Sequence, residues 1–152
     1  IRLSLVGSEM CIRDRFKVVT FHHDMLRFTI PAMTPAWRFA LANTLRNRGL
    51  AVNETGTYLE TSGPRFETRA EIQWMASVAD LVGMTCASES ILAGELGMDH
   101  CIIAMVDNYA NGIGTEALSK DRFRARVAEN RVTIRKAFQA VLGMEYDPGK
   151  SD

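Results

Sequence analysis

From Thr34 onward the apolar positions change period several times, and each change is marked by glycine, proline or a capping residue. Trp37, Ala40, Leu41 and Leu45 share one helical face between Thr34, a capping residue followed by Pro35, and Gly49, so the pattern predicts a helix between them. Arg46 and Arg48 near its end suit the helix dipole. Residues 56–62 have strand composition, Gly63-Pro64-Arg65 reads as a turn, and Ala70, Ile72, Trp74, Met75 and Val78 predict a helix over 66–78 against a core. Residues 80–84 form a short apolar strand, 88–96 a small helix closed by Gly97, and 100–106 a buried-type strand without polar alternation. After a polar loop over 107–115, Ser119 can cap a long last helix carrying Phe123, Val127, Ile134, Phe138 and Val141, with Gly143 at its end. Upstream, residues 17–21 read as a strand end running into His22-His23-Asp24.

Strands alternating with helices predict an α/β architecture with a mainly parallel sheet, and in such folds ligands gather at the carboxyl ends of strands. Three places follow: the turn after Ser62, the residues after Val82 and those after Val106.

Composition narrows the partners more than the fold. The chain has 152 residues, 47% hydrophobic and 24% charged, as globular domains do. Its 18 basic and 18 acidic residues cancel, which argues against a nucleic-acid partner and for a small molecule. Cys11, Cys86 and Cys101 have neither CxxC spacing nor an even count, so a disulfide framework and a structural zinc site are not expected, and a reducing cytoplasmic setting is. No run approaches the roughly 20 apolar residues of a membrane span. Residues 4–15, Ser-Leu-Val-Gly-Ser-Glu-Met-Cys-Ile-Arg-Asp-Arg, resemble a run that recurs when sequencing-adapter bases are read as coding. Residues 1–15 are therefore expected to be non-native, 16–143 to form the domain and 144–152 a tail.

The three strand ends are rich in groups that can grip a polar heterocycle and a sugar: Phe66 and Glu67, Met84 and Thr85, Asp107 and Asn108. Gly63 to Glu71 (GPRFETRAE), Gly83-Met84-Thr85, and Ile103 to Tyr109 (IAMVDNY) resemble, in order and spacing, three C-terminal motifs of the trimeric purine nucleoside phosphorylase family, which includes methylthioadenosine phosphorylases. The resemblance implies a three-layer fold with a mixed, mainly parallel central sheet flanked by helices, of which this chain is the C-terminal portion. It implies attack of inorganic phosphate on the anomeric carbon of a purine nucleoside, giving free base and ribose 1-phosphate, in nucleoside salvage. Negative charge builds on the departing purine and must be stabilised.

Carried over by position, Asn108 is the catalytic donor to the imidazole ring of the base, Glu67 accepts the ring N–H of a 6-oxopurine, and Phe66 walls the base. Met84 contacts ribose and Thr85 binds phosphate. Members that cleave 5′-methylthioadenosine typically have serine where Glu67 stands and aspartate where Asn108 stands, so both positions here point to 6-oxopurines. The 5′ substituent stays open between inosine or guanosine and 5′-methylthioinosine. No cofactor is implied beyond phosphate as co-substrate. A homotrimer is, with residues 28–33 resembling the part that reaches a neighbouring site. The family's other phosphate ligands lie in an N-terminal half, so this fragment is expected to be inactive alone. Ser88 replaces the family's usual proline before Glu89.

Plainer readings stand beside these. Glu67 in a first helical turn meets the dipole, Asn108 opens a loop, Met84 fills a core and Thr85 is a turn hydroxyl. Adjacent His22 and His23 point to opposite faces of a strand and have no third ligand at suitable spacing, and Cys86 has no histidine nearby to activate it. Arg65 and Arg69 read as a turn brace and a solvated or paired cation. The competing functions are a methylthioadenosine phosphorylase with a variant base site, a non-catalytic purine-binding remnant and a hydrolytic nucleosidase.

Overall fold

The computed structural model describes residues 3–5, 8–11, 20–21, 32–115 and 119–145. Thr34 stands at the N-terminus of α1 (Pro35–Asn47), but its hydroxyl makes no bond to that helix. It accepts from His100 N–H at 3.1 Å while Thr34 N–H donates to His100 O at 2.8 Å, which clamps the start of α1 to the approach of β6 (Ile103–Met105). α1 closes where expected, with Gly49 N–H on Arg46 O and Leu50 N–H on Leu45 O, satisfying two end carbonyls. Leu41, Ala42 and Leu45 are its buried residues, and each buried leucine contributes about 1.5–3 kcal/mol.

The strands form two three-stranded sheets: β3 (Val52–Asn53), β1 (Leu3–Leu5) and β6 in one, and β2 (Ser8–Cys11), β4 (Thr57–Glu60) and β5 (Leu81–Gly83) in the other. Three of the four pairings are parallel and only β1 with β6 is antiparallel, so the mixed, mainly parallel character expected from sequence is present. The division has a local cause. Leu3 faces Val52 and Ser8 faces Thr57, the same register on both sides of a break, so one pair of chain segments runs through both sheets and joins them. β1 and β2 of this pair fall within residues 1–15, the segment expected from sequence to be non-native. Residues 17–19 and His22-His23-Asp24 lie outside the described residues.

β6 departs from the expected buried strand. Only Ile102 beside it is buried and Val106 is exposed, because β6 pairs with β1 alone among the described strands and stands at a sheet edge. α2 (Arg69–Met75) starts three residues later than the apolar pattern suggests, since a capping box sets its first turn: Glu71 N–H donates to Thr68 Oγ1 at 3.2 Å and Thr68 N–H to Glu71 Oε2 at 2.6 Å. Ile72 and Met75 bury against Leu59 of β4, while Trp74 and Val78 of the expected core face are exposed, for so short a helix covers only a narrow stripe. α3 (Ala87–Glu95) and α4 (Lys120–Leu142) follow, the latter capped as expected by Ser119, whose hydroxyl accepts from Arg122 N–H at 3.3 Å. On α4 it is Ala137 and Ala140 that pack against Leu45 and Leu3, with Phe138 left outside. Small residues allow the close helix approach there.

β4 and β5 pair from Tyr58 opposite Leu81 to Glu60 opposite Gly83. Buried Tyr58 lies over Gly83 so closely that a Cβ there would overlap its hydroxyl. Burial, and after it the Cys86 thiol, pushes the Tyr58 phenol up to about 12.

Two tests follow. Gly83→Ala must displace the Tyr58 ring, and we expect a loss of about 1–3 kcal/mol, read as a lower urea midpoint at unchanged m. Glu71 is held down at about 2 from 4.5, first by the hydrogen bond from Arg65 and then by the Thr68 N–H. A depressed carboxylate stabilises the fold above its unfolded value and loses that contribution as the pH falls through the folded one. The thermal midpoint is therefore expected to drop between about pH 4.5 and pH 2, with a shallower drop in Glu71→Gln; equal slopes would refute the assignment.

Candidate active site

The carboxyl ends of β4 and β5 and the loop after β6 carry the residues singled out by sequence. Past β4 the ladder continues with Thr61 N–H on Gly83 O at 2.8 Å. Thr61 then turns its hydroxyl onto Glu67 Oε1 at 2.6 Å. Glu67 is 8% exposed, precedes the cap of α2 and does not lie in its first turn. Its own carbonyl accepts from Asn111 Nδ2 at 3.0 Å, and its Oε2 takes no hydrogen bond from the described residues. A buried carboxylate with one oxygen fixed and the other unbonded is an acceptor waiting for a donor.

The turn between Thr61 and Glu67 is fitted to Met84. Gly63 has φ +59°, and a Cβ on it would stand 2.8 Å from Met84 Sδ, so the thioether lies directly against the turn. Arg65 braces the same turn, donating to Phe66 O at 3.0 Å and in two bonds of 2.9 and 2.7 Å to Glu71. Arg69 lies instead across Gly112, whose Cβ would be 2.9 Å from Arg69 Cγ, and so joins α2 to the loop after β6. Both arginines are structural.

Phe66 is 44% exposed and meets the Phe123 ring edge-on, centroids 6.4 Å apart at 70°. Phe123, read from sequence as part of a core stripe, is thus a neighbour of the proposed base wall.

Thr85 is exposed at the end of β5, just before α3. Cys86 holds φ +101°, a left-handed conformation that costs a non-glycine residue about 1–3 kcal/mol. It is half-buried and packs against Tyr58. The N-terminus of α3 is taken by Glu60, whose Oε2 accepts from Ala87 N–H. No sequence motif flagged Glu60; its place at the last position of β4, opposite Gly83, is the only signal that could have.

Asn108 is exposed, and its Nδ2 donates to Tyr109 O at 2.8 Å. Beside it, Asp107 Oδ1 accepts from Asn130 Nδ2 at 2.6 Å. Asn130 is fully buried and its Oδ1 has no partner among the described residues, which carries a desolvation cost of about 1–3 kcal/mol. Sequence reasoning passed over Asn130, though a polar residue at helical spacing between Val127 and Ile134 was visible.

Asp107 and Asn108 line an open groove of 1040 Å³ with Tyr109, Arg122, Phe123 and Arg126. Glu67, Phe66, Met84 and Thr85 do not line it. The structure therefore gathers Phe66, Glu67 and Met84 about the turn after β4 and sets Asn108 in the neighbouring groove. Asn111 on the Glu67 carbonyl and Phe123 beside Phe66 link the two.

Residues 6–143 match the Phosphorylase superfamily. A protein of Archaeoglobus fulgidus named "Probable 6-oxopurine nucleoside phosphorylase" is 37% identical over 118 residues, 77% of this chain and 49% of that protein. One of Methanosarcina acetivorans named "Probable S-methyl-5'-thioinosine phosphorylase" is 36% identical over 145 residues, 91% of this chain and 56% of that protein. The chain spans about half the length of the curated relatives it matches. Methylthioadenosine phosphorylase from Schistosoma mansoni, solved with adenine, shares its fold at a TM-score of 0.74 and 22% identity, over 95% of this chain and 60% of that one. The chain thus belongs to the phosphorylase superfamily, alongside the purine and methylthionucleoside phosphorylases to which it is similar.

Proposed function

We propose that the chain carries the base-binding part of an enzyme that uses phosphate to cleave 6-oxopurine nucleosides, among them 5′-methylthioinosine, to free base and the corresponding ribose 1-phosphate. The observation that carries this reading is Glu67, buried, with Oε1 taken by the Thr61 hydroxyl and Oε2 unbonded among the described residues. Hypoxanthine and guanine present a ring N–H to such an acceptor. Adenine presents an unprotonated ring nitrogen at that position and would leave the carboxylate unpaired, and a site built on a polar pair rejects a ligand that breaks it. Relatives with names for 6-oxopurine and methylthioinosine phosphorylases support the same choice.

In the reaction phosphate oxygen forms a bond to the anomeric carbon while the glycosidic pair withdraws onto the purine. Asn108 supplies a donor for that charge by exchanging its bond to Tyr109 O for one to the imidazole ring. Phe66 provides the apolar wall, Met84 the ribose contact and Thr85 a hydroxyl for phosphate. Phosphate is a co-substrate, and this mechanism calls for no cofactor. By resemblance to the family we read the working enzyme as a cytoplasmic homotrimer, with further phosphate ligands supplied by an N-terminal half.

To test this, the chain is joined to the N-terminal half of its Archaeoglobus fulgidus relative and assayed with and without phosphate. Phosphate-dependent turnover of inosine or 5′-methylthioinosine over 5′-methylthioadenosine is expected. Glu67→Ser with Asn108→Asp should move relative kcat/KM toward the aminopurine by about 10²-fold. An unchanged preference overturns the account of base selection. Base release without phosphate marks a nucleosidase, and purine binding without turnover marks a binding module.

A further inference from the structure

We propose that Asn130 is a positioning residue for Asn108, acting through Asp107; the inference rests on the purine-site reading above. Asn130 lies wholly buried on α4, on the stripe that also carries Val127, Ile134, Ala137 and Val141. An apolar residue would fill that place without burying an amide. Among the described residues Asn130 uses only half of its amide: Nδ2 reaches 23 positions along the chain to Asp107 Oδ1 at 2.6 Å, and Oδ1 meets no partner there. The bond it makes ends on the residue directly before Asn108.

That bond is a short one to a carboxylate, the kind that holds geometry best. Asp107 lies at the exit of β6, and Asp107 and Asn108 face the same groove. Pinning the Asp107 side chain to α4 fixes the peptide from which Asn108 departs. The next anchors of this loop, Asn111 on Glu67 and Gly112 under Arg69, lie beyond Asn108 and hold only its far side. With Asn130 removed, the nearest strand-side anchor among the described residues is the pairing of Met105 with Leu3, three residues before Asn108, and a displacement of about 1 Å at a catalytic group costs on the order of 10²-fold in rate.

The donor Asn108 offers matters when charge reaches the purine, so its misplacement is expected to lower kcat with KM for the nucleoside little changed. In the enzyme assembled for the phosphorolysis assay, Asn130→Leu should reduce kcat by about 10²-fold. Asn130→Ala, which adds no bulk, replaces it if the leucine variant does not fold. Asp107→Ala should have the same effect, and Asn130→Ala combined with Asp107→Ala should be no worse than either alone. Hydrogen exchange of the backbone amides of residues 107–111, measured on the 152-residue chain, should quicken in the Asn130 variants. Additive losses in kcat, or a folded Asn130 variant with unaltered kcat and exchange, would overturn the proposal. A parent enzyme with no phosphorolysis refutes the purine reading itself, whereas active parent and unaltered variants refute only the role of Asn130.

Discussion

Tyr58 rests on Gly83 with no space for a side chain between them, and that contact sets how closely the carboxyl ends of β4 and β5 approach. From this approach the ladder can run one residue past β4, Thr61 N–H to Gly83 O. Thr61 is thereby held, and its hydroxyl is aimed at Glu67. On the next residue after Gly83, the Met84 thioether lies against Gly63 in the turn that returns the chain to Glu67. Phe66, Glu67 and Met84 thus owe their places in part to the packing of Tyr58 on Gly83, which ordinary turn chemistry alone would not impose.

Three carboxylates crowd this end of the sheet, and two are committed to helix ends. Glu60 accepts from the first turn of α3, and Glu71 completes the capping box of α2 while holding Arg65. Such caps satisfy helix N–H groups and tie those carboxylates to the fold. Glu67 differs in kind. It sits outside α2, is buried, and meets only one hydroxyl, so its second oxygen has no structural duty among the described residues. In the proposed function the local charges are divided between holding the helices and facing a ligand.

What the sequence made legible was whatever depends on neighbours within one turn. Gly49 and Gly97 end their helices, and Ser119 caps α4, because those signals act over three or four residues. The start of α2 was misjudged since Phe66 fits the apolar period while Thr68 and Glu71 decide the boundary. Thr34 looked like a cap and is instead a clamp on His100, a partner 66 positions away. The exposure of Val106 and Phe138, the shared register of residues 3–11 with 52–60, and the bond from Asn130 to Asp107 all depend on contacts between distant segments. The motif residues were legible as a set because they fall at strand ends. Their division between a turn and a groove was not, because strand order and loop path decide it.

That division bears on how the site can work. The Glu67 side is reached from a sheet ladder that ends at Thr61, and Glu67 itself accepts from the Thr61 hydroxyl and, at its carbonyl, from Asn111 Nδ2. The Asn108 side is attached by side chains: Asn130 to Asp107, Asn111 to the Glu67 carbonyl, and Arg69 across Gly112. Recognition of a base tolerates some adjustment, since the ligand itself can settle against its acceptor. Stabilisation of charge on a leaving group does not, because a donor aids the barrier only if it is already aimed where the charge will appear. In the proposed reaction the more demanding half of the chemistry falls on Asn108, three residues beyond the last paired residue of β6. Accuracy there depends on the number and placement of side-chain tethers about Asn108, and Asn130 is the one that holds the strand side.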